Sequence, residues 1–145
     1  MKKIIIFDFN RTLYDPDGKA LVPGALSVLK KLRKRSFVLY LISHAAPSRE
    51  HLITALGLDQ LFSKIIISYG KRIGDFRNII DKNTSLDQSF VVGDRIRKEI
   101  TIGNRLGMRT VWLKSGKFEG EEPRNENERP DFIIEKIESV LKIIT

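Results

Sequence analysis

The sequence predicts a doubly wound α/β domain with a mostly parallel, five-stranded sheet. Three observations predict it. Short, continuous apolar runs alternate along the chain with segments of helical periodicity, which is the pattern of an α/β fold. The runs are rich in β-branched and aromatic residues, as is typical of parallel strands buried on both faces. The length of 145 residues fits one domain with a substantial core.

The five predicted strands are residues 4–7, 37–42, 65–67, 90–92 and 110–113. Five helices are predicted to accompany them. Pro23 and Pro47 begin the first two, because proline suits the first turn, where its missing N–H is not needed. Apolar residues at helical spacing mark the other three helices: Phe76, Ile79 and Ile80; Ile96, Ile100 and Leu106; and Ile137, Val140, Leu141 and Ile144.

Two segments fit neither pattern. Residues 10–22 contain Asp15-Pro16-Asp17-Gly18, a strong turn signal. Residues 117–130 are polar and rich in glutamate, and we interpret them as a mobile polar surface loop. With no linker in view, residues 1–145 are expected to form a single domain.

Composition narrows the class of protein and the kind of site. No apolar run is long enough to span a membrane, and the N-terminus lacks a secretory signal. The absence of cysteine excludes a thiolate metal site and favours the cytoplasm. Any metal would need oxygen ligands or, as a weaker alternative, His44 and His51. The net charge of +8 indicates either a solvated basic surface or attraction to phosphate-bearing partners.

Polar residues gather where the predicted strands end. Asp8 follows the first strand, Ser43 the second, Lys71 lies just after the third, and Asp94 follows the fourth. Ligands of open α/β sheets bind beyond these carboxyl ends. Two carboxylates there could hold a hard cation such as Mg²⁺, and the hydroxyl and the ammonium could bind phosphate oxygens.

The same residues resemble the motifs of the haloacid-dehalogenase superfamily. IIIFDFNRTL at residues 4–13 is similar to its first motif, apolar residues followed by D-x-D-x-T. LIS at 41–43 resembles the second, and SYGK at 68–71 the third. VVGD at 91–94, with Glu99, resembles the fourth. The resemblance covers about residues 3–113, with a weaker echo at 130–134, and implies a Rossmann-like core.

This resemblance implies an Mg²⁺-dependent phosphatase site. Asp8 would be the nucleophile and form an aspartyl-phosphate. Asp8, Asp94 and the backbone carbonyl of Asn10 would hold the metal. Ser43 and the following His44, together with Lys71, would bind the phosphoryl oxygens, and Thr12 would support the loop.

Four residues depart from the family pattern. Asn10 stands where phosphatases of the family carry their acid/base aspartate, and an amide cannot transfer a proton at neutral pH. Arg11 replaces a common glycine and would either grip the substrate or point to solvent. Glu99 replaces an aspartate and could still coordinate through water. Arg72 replaces a proline.

The resemblance also predicts that a cap domain is lacking. Caps of this superfamily follow the first motif or lie between the second and third, and neither interval is long enough here. The expected partner is a phosphorylated substrate, small or macromolecular, and a second copy of the chain could supply a lid.

Three functions fit these residues. The first is an Mg²⁺-dependent phosphohydrolase, slowed by Asn10. The second is a catalytically weak phosphate-binding or regulatory module. The third is a nucleic-acid-associated phosphatase, for which the positive charge and an open site without a cap both speak. The sequence leaves the substrate open.

Overall fold

A computed structural model describes all 145 residues and contains a six-stranded parallel sheet. Its strands are β1 (Ile4–Asp8), β4 (Val38–His44), β5 (Lys64–Ser68), β6 (Phe90–Gly93), β7 (Arg109–Leu113) and β8 (Phe132–Ile134). They are ordered β5-β4-β1-β6-β7-β8. Strands β4 and β5 follow β1 on one side of it, and β6, β7 and β8 lie on its other side. Ligands of such sheets bind where the strand order reverses in this way.

Helices cover both faces of the sheet, which confirms the doubly wound prediction. The helices are α1 (Ala25–Lys34), α2 (Arg49–Ala55), α3 (Ile73–Arg77), α4 (Thr101–Leu106) and α5 (Val140–Ile143). Residues of β1 alternate between two cores. Ile5 and Phe7 pack with α1 and α5, whereas Ile4 and Ile6 pack with Phe76 of α3.

The prediction of five strands was one strand short. Strand β8 lies at the edge of the sheet and pairs with β7, Trp112 opposite Ile133. It has only three residues, and the side chain of Ile133 is exposed. Its apolar run, residues 132–134, is as long as the runs at 65–67 and 90–92, so the same pattern applied to this strand and it was overlooked.

The helical predictions were correct in place but too regular in form. Residues Ile96–Ile100 form a π-helical turn that leads into α4. The closing helix starts as a 3₁₀ turn, Ile137–Ser139, before α5. Two further 3₁₀ turns lie at Leu86–Gln88 and, within the predicted polar loop, at Glu126–Glu128.

The segment after β7 is folded against the domain. It begins with a 3₁₀ turn, Gly116–Phe118, and the carboxylate of Glu121 accepts hydrogen bonds from the π-turn, at 2.9 Å from the Ile96 amide and 3.1 Å from Arg97. Glu128 is buried and paired with Arg124 at 2.7 Å. Two of the acidic residues of this segment, Glu121 and Glu128, therefore have specific partners, which composition alone did not reveal.

Both places where a cap could be inserted hold only short elements. A two-stranded hairpin, β2 (Tyr14–Asp15) and β3 (Ala20–Leu21), follows β1, and α2 alone separates β4 from β5. Residues 1–145 therefore contain no cap domain. None of the helices is long and apolar enough to cross a membrane.

Candidate active site at the carboxyl edge of the sheet

The register of the sheet brings the predicted residues to one edge. Asp8 pairs with Ile42 in β4, one residue before Ser43, and His44 pairs with Ser68 at the end of β5. Because the strands are parallel, their last residues and the loops that follow lie side by side. Asp94 follows β6 directly. The predicted convergence of four strand ends is therefore present.

Lys71 lies buried at the centre of this site. Its ammonium pairs with Asp8 and, at 2.7 Å, with Glu99. The backbone of Lys71 has a left-handed φ of 45°, and its N–H donates to the Ser68 hydroxyl at 3.0 Å. Burial opposes the charged form, but the two carboxylates outweigh it and raise the pKa of Lys71. The ammonium is therefore held permanently charged.

Asp8 is held as a carboxylate. Thr12 donates a hydrogen bond of 3.1 Å to one oxygen of Asp8, and Lys71 pairs with the other. Burial opposes ionisation of Asp8, but the charge and hydrogen bond of Lys71 prevail and lower its pKa. An ionised, oriented carboxylate of this kind can act as a nucleophile.

Asp8, Asp94 and Glu99 form a buried acidic cluster whose ligand atoms lie within 4.8 Å of one another. Burial, followed by the charge of Asp8, raises the pKa of Asp94 to about 9. Burial and the same charge raise the pKa of Glu99, with Lys71 acting against them. With three acidic groups beside one buried ammonium, burial and the charge of Asp8 keep a proton on Asp94, and a bound cation would take the place of that proton.

The donor set fits Mg²⁺. Asp94 Oδ2 and Asn10 Oδ1 are buried acceptors without a hydrogen-bond partner. Both residues line a cavity of about 30 Å³ beside Asp8, enough for a single ion or water. Carboxylate and carbonyl oxygens are the ligands that Mg²⁺ prefers.

Glu99 has contacts that the sequence did not reveal. Its carboxylate lines the cavity, pairs with Lys71 and accepts a 3.2 Å hydrogen bond from the Arg95 amide. The wide π-turn of residues 96–100 allows this return. A side chain at Gly93 would approach Glu99 to 2.7 Å, so the close packing requires glycine there.

Ser43, predicted to bind phosphate, is buried and already engaged. Its hydroxyl donates to the His44 carbonyl at 3.0 Å and accepts from Arg49 at 2.9 Å. His44 is half-buried and lines the cavity; burial, then the charge of Lys71, lowers its pKa. The neutral imidazole can still donate a hydrogen bond.

Sequence reasoning missed Arg49. Its guanidinium stacks 4.7 Å over the Phe9 ring and contacts the Ser43 hydroxyl, so it lies beside the predicted phosphate-binding residues. One signal could have identified it. Arg49 is the first residue of α2, where a cation is unfavourable next to the positive end of the helix dipole. A basic residue placed there is more readily explained by a bound anion.

Arg11 and Arg95 stand at the mouth of the cavity, and neither was given a definite role by the sequence. Arg11 has the left-handed φ of 62° that explains the common glycine at this position, and its Nε lies 3.4 Å from Asp94 Oδ2. Arg95 packs 4.1 Å from the centre of the Phe118 ring. Arg11 also lines a neighbouring cavity of about 290 Å³.

The sequence is similar to a protein family and to curated proteins. A family model described as HAD-hydrolase-like matches residues 63–140. Glyceraldehyde 3-phosphate phosphatase of Pyrococcus abyssi is 34% identical over 130 residues, which cover 85% of this chain and 54% of the relative. The enzyme of the same name from Methanopyrus kandleri is 30% identical over 129 residues, covering 84% and 55%. The chain thus spans about half the length of these curated relatives.

Among solved structures, an uncharacterized protein from Listeria monocytogenes serotype 4b superposes with a TM-score of 0.80 at 19% identity. The superposition covers 98% of this chain and 96% of that one. At this identity the likeness concerns the fold, and the near-complete mutual coverage means that the neighbour shares the same core at nearly the same size.

Proposed function

The chain belongs to the HAD-hydrolase-like family, and from this premise we propose that it is an Mg²⁺-dependent phosphohydrolase acting on phosphate monoesters through Asp8. The observation that supports this most strongly is the state of Asp8. It is buried, yet kept ionised by Lys71 and oriented by Thr12, at the edge of the sheet where ligands of this fold bind.

Asp8, Asp94 and the backbone carbonyl of Asn10 would hold Mg²⁺. The bound ion would neutralise charge and act as a Lewis acid on the phosphoryl group. Asp94 must lose its proton to serve as a ligand, since its pKa is raised to about 9. Lys71, itself paired with Glu99, would keep Asp8 in place while Asp94 exchanges its proton for the metal.

In the first step, an oxygen of Asp8 attacks phosphorus, the bond to the leaving oxygen breaks, and an aspartyl-phosphate forms. Lys71 would stabilise the charge that develops on the phosphoryl oxygens. His44 and the Ser43–Arg49 pair supply further donors at the same strand ends. In the second step, water attacks phosphorus and releases phosphate from Asp8.

Asn10 limits both steps. Its amide can neither protonate the leaving group nor deprotonate water, and general acid–base catalysis is worth roughly 10²–10⁴-fold. Esters with good leaving groups are therefore the favoured substrates. The name of the curated relatives makes glyceraldehyde 3-phosphate the first metabolite to test.

The experiment compares hydrolysis of 4-nitrophenyl phosphate with Mg²⁺ and with EDTA. Wild type should turn over only with Mg²⁺, and Asp8→Asn should fall to background. Asn10→Asp should raise turnover of an alkyl phosphate by roughly 10²-fold or more, and of the aryl ester by less, because an aryl leaving group hardly needs protonation. Turnover that survives in Asp8→Asn would refute the proposal.

A second function is favoured by Asn10 itself. A chain lacking the acid/base could serve as a phosphate-binding module that holds a ligand without turning it over. Mg²⁺-dependent binding of inorganic phosphate, measured by calorimetry, with no turnover of the aryl ester in wild type would favour this alternative.

A further inference from the structure

Four buried side-chain atoms lack a hydrogen-bond partner, and all four belong to residues that line the cavity beside Asp8. Two are acceptors: Asp94 Oδ2, which the proposed metal would satisfy, and Asn10 Oδ1, which can accept a hydrogen bond from water in the same cavity. The other two are donors, the Nε atoms of Arg11 and Arg95. A metal cannot satisfy a guanidinium, so these two residues call for a separate, anionic group.

We propose that Arg11 and Arg95 form an anion subsite beside the metal site, so that the substrate carries a second anionic group, a carboxylate or a phosphate, besides the phosphoryl group that is transferred. The inference rests on the proposed function, because Asp8 defines where the transferred group lies. It makes Arg11 and Arg95 specificity-determining residues.

Arg11 forms no hydrogen-bonded ion pair with a carboxylate. The oxygen closest to it belongs to Asp94, and the 3.4 Å contact lacks the geometry of a hydrogen bond. Asp94 is also the carboxylate that the metal would engage. When Asp94 turns to a cation, Arg11 is left with a charge that only a ligand can balance.

Arg95 is similarly underpaired. Its guanidinium lies 3.8 Å from Glu121, but that carboxylate already accepts hydrogen bonds from Arg97 at 3.1 Å and from the Ile96 amide at 2.9 Å. The side chains of Arg95 and Arg11 are 31% and 30% exposed, so their outer nitrogens are accessible while the Nε atoms are buried. Both guanidiniums can therefore receive an anion from solvent.

Phe118 holds the two arginines in place. Its ring centre is 4.1 Å from the Arg95 guanidinium and 5.2 Å from that of Arg11, with the Lys117 ammonium at 5.4 Å. Stacking on a ring restricts the side chains before a ligand arrives, which lowers the entropic cost of binding. Three cations around one ring also repel one another, and a bound anion would relieve that repulsion.

The size of the cavity places the second anion at the mouth. The cavity of about 30 Å³ beside Asp8 has no room for the tail of a substrate. The rest of the substrate must therefore extend outward past Arg11 and Arg95, which border the opening.

The test is calorimetric and uses the wild-type protein with saturating Mg²⁺ and three phosphonates that cannot be hydrolysed. Ethylphosphonate has a neutral tail, 2-carboxyethylphosphonate adds a carboxylate, and ethane-1,2-bisphosphonate adds a second phosphonate. An anionic tail should tighten binding roughly tenfold or more, as hydrogen bonds to charged groups typically do. The tighter of the two anionic ligands identifies the tail chemistry.

Arg11→Gln and Arg95→Gln should each bring the ratio of the dissociation constants for neutral and anionic tails toward one. Arg105→Gln is the matched control. Arg105 is exposed in the last turn of α4, which ends at the opposite edge of the sheet, so the ratio should not change. Equal affinity for all three ligands in wild type, or a ratio unaltered by both arginine variants, would overturn the subsite and leave the proposed function standing. If none of the phosphonates binds, the phosphoryl site itself is refuted.

Discussion

Asp94→Asn removes one of three clustered carboxylates without changing the shape of the side chain. In the protein without metal, burial and the charge of Asp8 raise the pKa of Asp94 from its ordinary 3.8 to about 9. The folded state therefore binds this proton more tightly than the unfolded state. The stability that this proton contributes is fully present below pH 4. It is lost as the pH rises toward 9, because ionising Asp94 costs more in the folded protein than in the unfolded chain.

The magnitude follows from the same pKa. The unfolded chain loses this proton near pH 3.8, whereas the folded protein keeps it up to about pH 9. Neutral pH lies about three units above 3.8, and each unit is worth about 1.4 kcal/mol, so the raised pKa costs up to about 4 kcal/mol of stability at pH 7. Asparagine avoids this cost. We expect metal-free Asp94→Asn to unfold about 5–15 °C higher than wild type at pH 7–8, and at nearly the same temperature at pH 4.

The assay is thermal unfolding in EDTA from pH 4 to pH 9, with Asp59→Asn as the control at an exposed aspartate. Mg²⁺ should reverse the order of the two melting temperatures, so that wild type unfolds at the higher temperature. Mg²⁺ at about a hundredfold above its dissociation constant stabilises wild type by about 2.7 kcal/mol, whereas the variant, lacking the ligand, should gain little. A difference in melting temperature between variant and wild type that stays constant from pH 4 to pH 9 would refute the reasoning. An equal gain from Mg²⁺ in both proteins would refute it as well.

Three further substitutions test the packing of the site. Lys71→Met strands two buried carboxylates and should lower the free energy of unfolding by about 3–5 kcal/mol in urea at neutral pH; an unchanged midpoint would contradict the pairing. Trp112→Phe removes the 2.9 Å hydrogen bond to the Asp94 carbonyl and should cost about 1–3 kcal/mol, with a smaller Mg²⁺-induced rise in melting temperature than in wild type. Gly93→Ala places a methyl group 2.7 Å from Glu99 and should cost about 1–3 kcal/mol in the same urea experiment; full stability would mean that the close approach is not required.

The buried part of the fold was predictable because its signals are local. Each of the five predicted strands contains a short apolar run, and Asp8, Asp94 and Lys71 lie at or shortly after the ends of those runs. Parallel pairing then brings the strand ends together without further information. Strand β8 was overlooked although residues 132–134 form an apolar run as long as the one at 65–67.

The rest of the site depends on contacts between segments far apart in sequence. Glu99 pairs with Lys71 next to a π-turn at residues 96–100, and the hydrophobic periodicity of the sequence does not predict such a turn. Phe118 lies in a segment whose composition indicated a loop, yet its ring organises Arg11 and Arg95. Side-chain pairing of this kind depends on tertiary packing, and it leaves no regular residue spacing from which it could be predicted.

The most direct test of the central role of Asp8 is to trap the covalent intermediate. With an activated aryl phosphate, attack by Asp8 needs no acid, but hydrolysis of the aspartyl-phosphate needs a base that Asn10 cannot supply. We expect a burst close to one product per active site, and mass spectrometry after acid quench should find added phosphate on the peptide that contains Asp8, labile to hydroxylamine. A linear time course with no phosphate on that peptide, despite Mg²⁺-dependent turnover, would contradict the account.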